Sequence, residues 1–366
     1  MKNRSRIKAT LALGLALIFL FIADSSTFFK GPQTNSGKER YESWFGDSDG
    51  RVLYFGESYW WKGYLETNDP LGNCKEKGDL LIGRFDTLAE RFLPALKIGK
   101  GKDEIWDVLV HSNGNIYWTS FTEGIGYVSS NGRKVIKFKE AGAGFNELWE
   151  GPQGNIWVTR YAYEDGGRRK DGSVAMLDQE GRILKEFQVH EGGFITCPKS
   201  PAVNPLNGMI IINSDQFPTD GSEDYKHHSF ILSPTGEVLK IIRDHEIMFM
   251  SYDNLGRGWF AERVNDAWRM RVSFPSGKAK VIYLDSFSPL NFIQDIKHKG
   301  DLTVATAWSG KVYLFEERSP SIFKVSKYQI DRPTDPGKIT YTTIISENGD
   351  LYGTFNDGIL VFKIER

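Results

Sequence analysis

The sequence predicts an all-β fold, a seven-bladed β-propeller of four-stranded antiparallel blades, from three observations. One phrase recurs seven times: an apolar stretch, a polar turn ending in glycine, then an aromatic-rich apolar stretch. Its glycines lie 40 to 64 residues apart, about 50 on average, which is the length of a propeller blade. The chain also has 38 glycines and 13% aromatic residues, a composition suited to many short strands joined by tight turns. A large β-sandwich and a six-bladed ring are the alternatives.

In chain order, the first element is a leader. Lys2, Arg4, Arg6 and Lys8 precede the apolar run 9–23, which has 15 residues and suits a signal-peptide core better than a bilayer span. Residues 1–25 therefore read as a signal peptide or an uncleaved signal anchor, with 26–366 as a single propeller domain. Both readings place the domain outside the cytoplasm, periplasmic or secreted, with the leader as its only membrane contact.

The repeated phrase follows at 46–55, 111–121, 151–161, 204–214, 252–262, 298–308 and 346–355, with turn glycines Gly50, Gly114, Gly154, Gly208, Gly256, Gly300 and Gly349. A second glycine hairpin lies inside most repeats, at 129–138, 178–187, 233–242 and 274–284. Two hairpins give four strands, hence one blade. The blades are assigned to 39–100, 101–143, 144–192, 193–245, 246–288, 289–332 and 333–366. The last holds only three strands, and residues 26–38 are expected to supply the fourth, because closing the ring with both chain ends removes a free sheet edge.

Composition excludes several classes of function. With 46 Lys+Arg against 47 Asp+Glu the net charge is -1, and removing four leader cations together with Asp24 leaves -4. No basic excess exists to displace counterions, so no nucleic-acid partner is expected. Two cysteines cannot build a disulfide scaffold or a four-cysteine zinc site, although Cys74 and Cys197 fall on one face and could pair. No Gly-x-Ser-x-Gly elbow, Walker loop or His-Glu-x-x-His motif occurs.

The phrases Gly-Asn-Ile-Tyr-Trp at 114–118, Gly-Asn-Ile-Trp at 154–157 and Gly-Arg-Gly-Trp-Phe-Ala-Glu at 256–262 resemble the blade motif of streptogramin lyase-like propellers. They are also similar to NHL-repeat and gluconolactonase/SMP-30-like blades. The resemblance implies seven blades and a divalent cation, Mg or Ca, held near the central axis by acidic residues with a histidine as base. On that pattern Glu262 matches a glutamate position, and His245 is the nearest histidine. Glu147, at the channel mouth, joins them as a candidate catalytic residue, and Glu147 and Glu262 are the candidate metal ligands. Glu150-Gly-Pro looks like the start of the lactonase metal motif but runs straight into the turn before Gly154, so it reads as a turn.

Ligands of propellers usually meet the channel mouth where first strands begin and second strands end. Candidate ligand-binding residues there are Trp106, Arg160, Tyr161, Asp215 and Trp308. Trp60, Trp61 and Tyr64 join them from the aromatic-rich segment 57–78. Asp220, Glu223, Asp224, His227 and His228 have metal-ligating chemistry in a long loop. Asp47 and Asp49 read as hairpin-turn residues, and Arg168 to Lys170 as a solvated loop. The expected function is an exported, monomeric module that binds a small molecule, saccharide or protein through this face. The alternative is a metal-assisted lyase or lactonase.

Overall fold

A computed structural model of the chain describes residues 26–30, 39–61, 78–101, 105–121, 123–138, 144–161, 163–165, 168–189, 194–218, 226–243, 246–286, 288, 291–307, 309–329, 340–355 and 360–364. The glycine turns act as read from the sequence. At blade 5, the Gly256 N–H donates to the Asp253 carbonyl at 3.0 Å with Gly256 at φ 70°, a conformation that favours glycine. The Asp253 side chain accepts from the N–H groups of Leu255 and Arg257, so both halves of the turn are capped.

Each pair of hairpins forms one four-stranded antiparallel sheet. Blade 1 is β2 (Glu39–Ser48), β3 (Val52–Trp61), β4 (Gly78–Asp86) and β5 (Arg91–Gly101). Blade 2 is β6 (Asp107–Val110), β7 (Asn115–Ser120), β8 (Gly124–Ser129) and β9 (Val135–Lys137). Blade 3 is β10 (Phe145–Glu150), β11 (Ile156–Arg160), β14 (Ser173–Leu177) and β15 (Ile183–Gln188), with the inserted hairpin β12 (Tyr163–Asp165) and β13 (Arg168–Lys170). Blade 4 is β16 (Phe194–Val203), β17 (Ile210–Pro218), β18 (Lys226–Leu232) and β19 (Val238–Ile242). Blade 5 is β20 (Glu246–Tyr252), β21 (Gly258–Val264), β22 (Ala267–Ser273) and β23 (Ala279–Ser286). Blade 6 is β24 (Ile293–Lys299), β25 (Leu302–Ala307), β26 (Lys311–Ser319) and β27 (Ile322–Gln329). Blade 7 is β28 (Thr340–Ile345), β29 (Leu351–Phe355) and β30 (Leu360–Ile364), completed on its outer edge by β1 (Ser26–Lys30).

The first-numbered strand of each sheet is innermost in blades 1 to 6, and β28 is innermost in blade 7. Each touches the next around the ring, with β28 against β2 closing it. This is a seven-bladed β-propeller with no helix among the described residues. The outer strand of blade 7 comes from the segment expected, in the register Ser26↔Ile364 to Lys30↔Leu360.

Burial grades outward through each blade. In blade 3, β11 is buried at every position whereas β15 is largely exposed. The described core consists of seven apolar clusters, one at each blade-to-blade boundary. Trp259, Met270 and Phe315 fill the boundary of blades 5 and 6, and Phe55, Phe85 and Tyr352 that of blades 1 and 7. Stability thus resides between blades, so each blade needs its neighbours.

Three segments differ from the sequence reading, the first being His227 and His228, which lie on β18 opposite Asp215 and Ser214 and not in a loop. Arg168 to Lys170 form a strand, with Arg168 opposite Asp165 and Arg169 opposite Glu164 in register. Tyr59, Trp60 and Trp61 continue β3 opposite Tyr41, Arg40 and Glu39 and do not begin a loop.

Candidate functional site

An innermost strand has one sheet neighbour, so half of its N–H groups face the channel and need another acceptor. Carboxylates from adjoining blades supply it. Asp47 Oδ2 accepts from the Val110 N–H at 2.9 Å, and Asp107 Oδ2 accepts from the Leu148 N–H at 2.8 Å. Their second oxygens accept from the N–H groups of Ser48 and Val108. On the far side of the channel, Asp295 accepts from the Thr342 hydroxyl and lies 3.8 Å from the Lys297 ammonium.

Lys297 is the cation at the centre of this group. Burial alone would lower its pKa, but the charges of Asp295, Asp47, Asp107 and Glu147 outweigh that and hold it above the ordinary lysine range. Burial pushes the Asp107 carboxyl up to about 8, against the opposing pull of Lys297. Burial likewise raises Asp47 and Asp295, again opposed by Lys297.

These strands end around a cavity of about 610 Å³ that includes Asp47, Asp107, Trp149, Glu150, Tyr252 and Lys297 in its wall. It opens among the turns that join first to second strands. His298 stands at its edge, bonded through Nδ1 to Thr303 at 2.9 Å and held against Trp259 with ring centroids 5.6 Å apart. Burial, reinforced by Arg257 and Lys297 and opposed by Asp253, brings its pKa down to about 4, so the ring is neutral at ordinary pH. Asp253 borders the cavity too, but its Oδ2 already takes Arg257 Nε and, at 2.9 Å, Trp259 Nε1. Arg257 continues to Glu317, which ties blade 5 to blade 6.

Beside the cavity, Ser112, His111 and Glu150 hold residue types of a nucleophilic triad. The connectivity is wrong for one: Ser112 donates to Glu150 directly, and His111 is spent on the backbone. Its Nδ1 accepts from the Asn113 N–H, so Nε2 carries the proton and donates to the Gly154 carbonyl at 3.0 Å. These three side chains fasten blade 2 to blade 3.

The residues singled out in the sequence are distributed differently. Glu262, on β21, is fully buried, with its oxygens taken by Arg269 at 3.0 Å and Arg271 at 2.5 Å. It would have to leave both guanidinium groups before it could ligate a metal. Glu147 sits on β10, two blades away, where its charge acts on Lys297. Among the described residues, no three His, Cys, Asp or Glu side chains group as metal ligands.

Trp106 and Tyr161 meet across blades 2 and 3 with centroids 6.4 Å apart, at the opposite end of the strands from the cavity. Arg160 lies over the Phe145 ring at 4.6 Å and bonds to Glu186 at 2.9 Å. Asp215 is paired with Lys199 and, at 2.7 Å, with His227. Trp60 and Trp61 end β3, but their side chains lie outside the described part, as do Tyr64, His245, Trp308, Cys74, Asp220, Glu223 and Asp224. Of the predicted ligand-binding residues whose side chains are described, Trp106, Arg160, Tyr161 and Asp215, none lines the 610 Å³ cavity. Its own residues were passed over because they sit singly in different blades, and Asp47 looks like its turn neighbour Asp49. Only Asp49 serves the turn, accepting from the N–H groups of Arg51 and Val52.

No protein-family model and no curated relative matches the chain. Solved structures do match in fold. A chain of the mitotic checkpoint complex superposes with a TM-score of 0.56 at 10% identity, over 92% of this chain and 95% of that one. The extracellular domain of the hybrid two component system BT3049 from B. thetaiotaomicron gives 0.55 at 16% identity, over 92% of this chain and 41% of that one. At such identities the likeness concerns the propeller fold alone.

Proposed function

We propose that this propeller is an extracytoplasmic binding module whose ligand sits in the 610 Å³ cavity at the turn end of the channel. One observation carries the reading. Lys297, Asp47 and Asp107 converge on one concave space beside Trp149 and Tyr252, on strands that fix their positions. A space of this size with a few placed polar groups suits a small ligand or a side chain of a larger one. The basic and apolar leader supports export.

A thermal-shift screen of the purified protein against monosaccharides, amino acids and short peptides tests the proposal. Any compound that raises the melting temperature is then tried on two pairs of variants. Trp149→Ala and Lys297→Met alter the cavity, and Trp106→Ala and Tyr161→Ala alter the opposite mouth. The proposal expects the shift to vanish in the first pair and persist in the second. The reverse pattern would move the site to the face read from the sequence.

A further inference from the structure

We infer that the channel cavity receives a basic side chain of a polypeptide partner, while an apolar side chain of the same segment enters the groove beside it. This rests on the cavity being the binding site and adds the chemistry of the partner.

Charge is the first ground. The cavity wall holds Asp47, Asp107 and Glu150 together with Lys297 and Lys299, and burial keeps Asp107 protonated at neutral pH. Asp253 is already matched by Arg257, and the charges of Asp295 and Glu147 act on Lys297 from the channel. With Asp107 neutral, the charges of Asp47, Glu150, Asp295 and Glu147 still exceed those of Lys297 and Lys299, so a further cation is favoured over an anion.

Ser251 is the second ground. It lies in the cavity wall, is 1% exposed, and its hydroxyl has no hydrogen-bond partner among the described residues. A buried hydroxyl without a partner calls for one; it can accept from an ammonium or guanidinium and donate to a carbonyl oxygen, and a polypeptide segment carries both.

The third ground distinguishes a polypeptide from a free amine. A second cavity of about 270 Å³ adjoins the first, sharing Gly151, Pro152 and Val203 and adding Trp157, Met176 and Pro234. Leu206, 63% exposed, lies at its edge and reaches over Gly256 of the next turn, beside Leu255 at 54%. Apolar side chains held out at two neighbouring turn tips next to a charged cavity form a surface for a chain that carries both kinds of group.

Fluorescence-polarisation titration with short capped peptides tests this. Each peptide carries one lysine and one leucine, separated by none to three glycines. At least one spacing should bind, and norleucine in place of lysine should weaken it about tenfold or more. Alanine in place of leucine should cost about fivefold, a fraction of the burial energy of that side chain. Glu150→Gln should weaken the same peptide, and Lys299→Glu, which adds to the negative field, should tighten it. The inference is overturned if no peptide binds, if the norleucine peptide binds equally well, if n-butylamine alone competes as strongly, or if glutamate peptides are preferred. A cavity-dependent thermal shift from a small molecule without peptide binding would sink this inference and leave the binding reading standing. Failure of both would remove both.

Discussion

Asp107 joins two blades and titrates where pH is easily varied. Its folded pKa of about 8 stands above the ordinary 3.8, so between those values the unfolded chain gives up a proton that the folded chain keeps. The stability this confers is complete below the lower value and is lost as pH rises through about 8. His298 works in the other direction, since its pKa of about 4 lies under 6.5, and its effect is confined to pH below 6.5. Denaturant midpoints at pH 6.5 and pH 8 should therefore fall for the wild type and fall less for Asp107→Asn. Equal slopes would remove the assignment. Glu262 offers a second test. Glu262→Gln leaves Arg269 and Arg271 facing a neutral group and should cost about 1–3 kcal/mol, read as a denaturant midpoint. Glu262 was legible as the end of a motif. Its occupation was not, because Arg269 and Arg271 lie on the next strand, and only the pairing of Glu262 with Arg269 brings them to it.

At the scale of the element, turns were the most legible feature because their chemistry is local. The third-to-fourth-strand hairpins repeat the geometry of the first ones: the Gly181 N–H donates to the Asp178 carbonyl at 3.0 Å, and Asp178 accepts from the N–H groups of Glu180 and Arg182. Gly181 has φ 84°, and a methyl group there would run into the Phe138 ring of blade 2. Gly181→Ala should thus lose about 2–4 kcal/mol from left-handed strain and overpacking together, measurable by urea unfolding. Alternation along the innermost strands was far less legible, for a physical reason. Register shifts fall at Phe145/Leu148, Ile293/Asp295 and Thr340/Thr343, and they involve the stretches that hold Glu147, Asp295 and Thr342. A bulge re-aims side chains and breaks the period of two on which a sequence reading depends. Glu147, Asp295 and Thr342 of the channel group belong to these breaks, whereas Asp47, Asp107 and Lys297 lie in regular pairing.

For the whole molecule, closure of the ring is the feature on which stability turns. The strand Ser26–Lys30 covers the outer edge of blade 7, the blade that carries an apolar cluster on each side. A chain beginning at residue 31 should melt at least about 5 °C below one beginning at residue 26 and should associate through the uncovered edge of β30. Matching melting temperatures would deny closure this role. Blade number and closure were readable because they follow from counting hairpins. Which end of the channel holds a cavity was not, since that depends on how side chains from all the blades fill one axis.

The most direct test of the account is the position of a bound ligand in a crystal structure of the protein with the strongest compound from the thermal-shift screen. The account predicts density over Lys297, between Asp47, Asp107 and Trp149. Density against Trp106 and Tyr161, with the turn-side cavity empty, would contradict it.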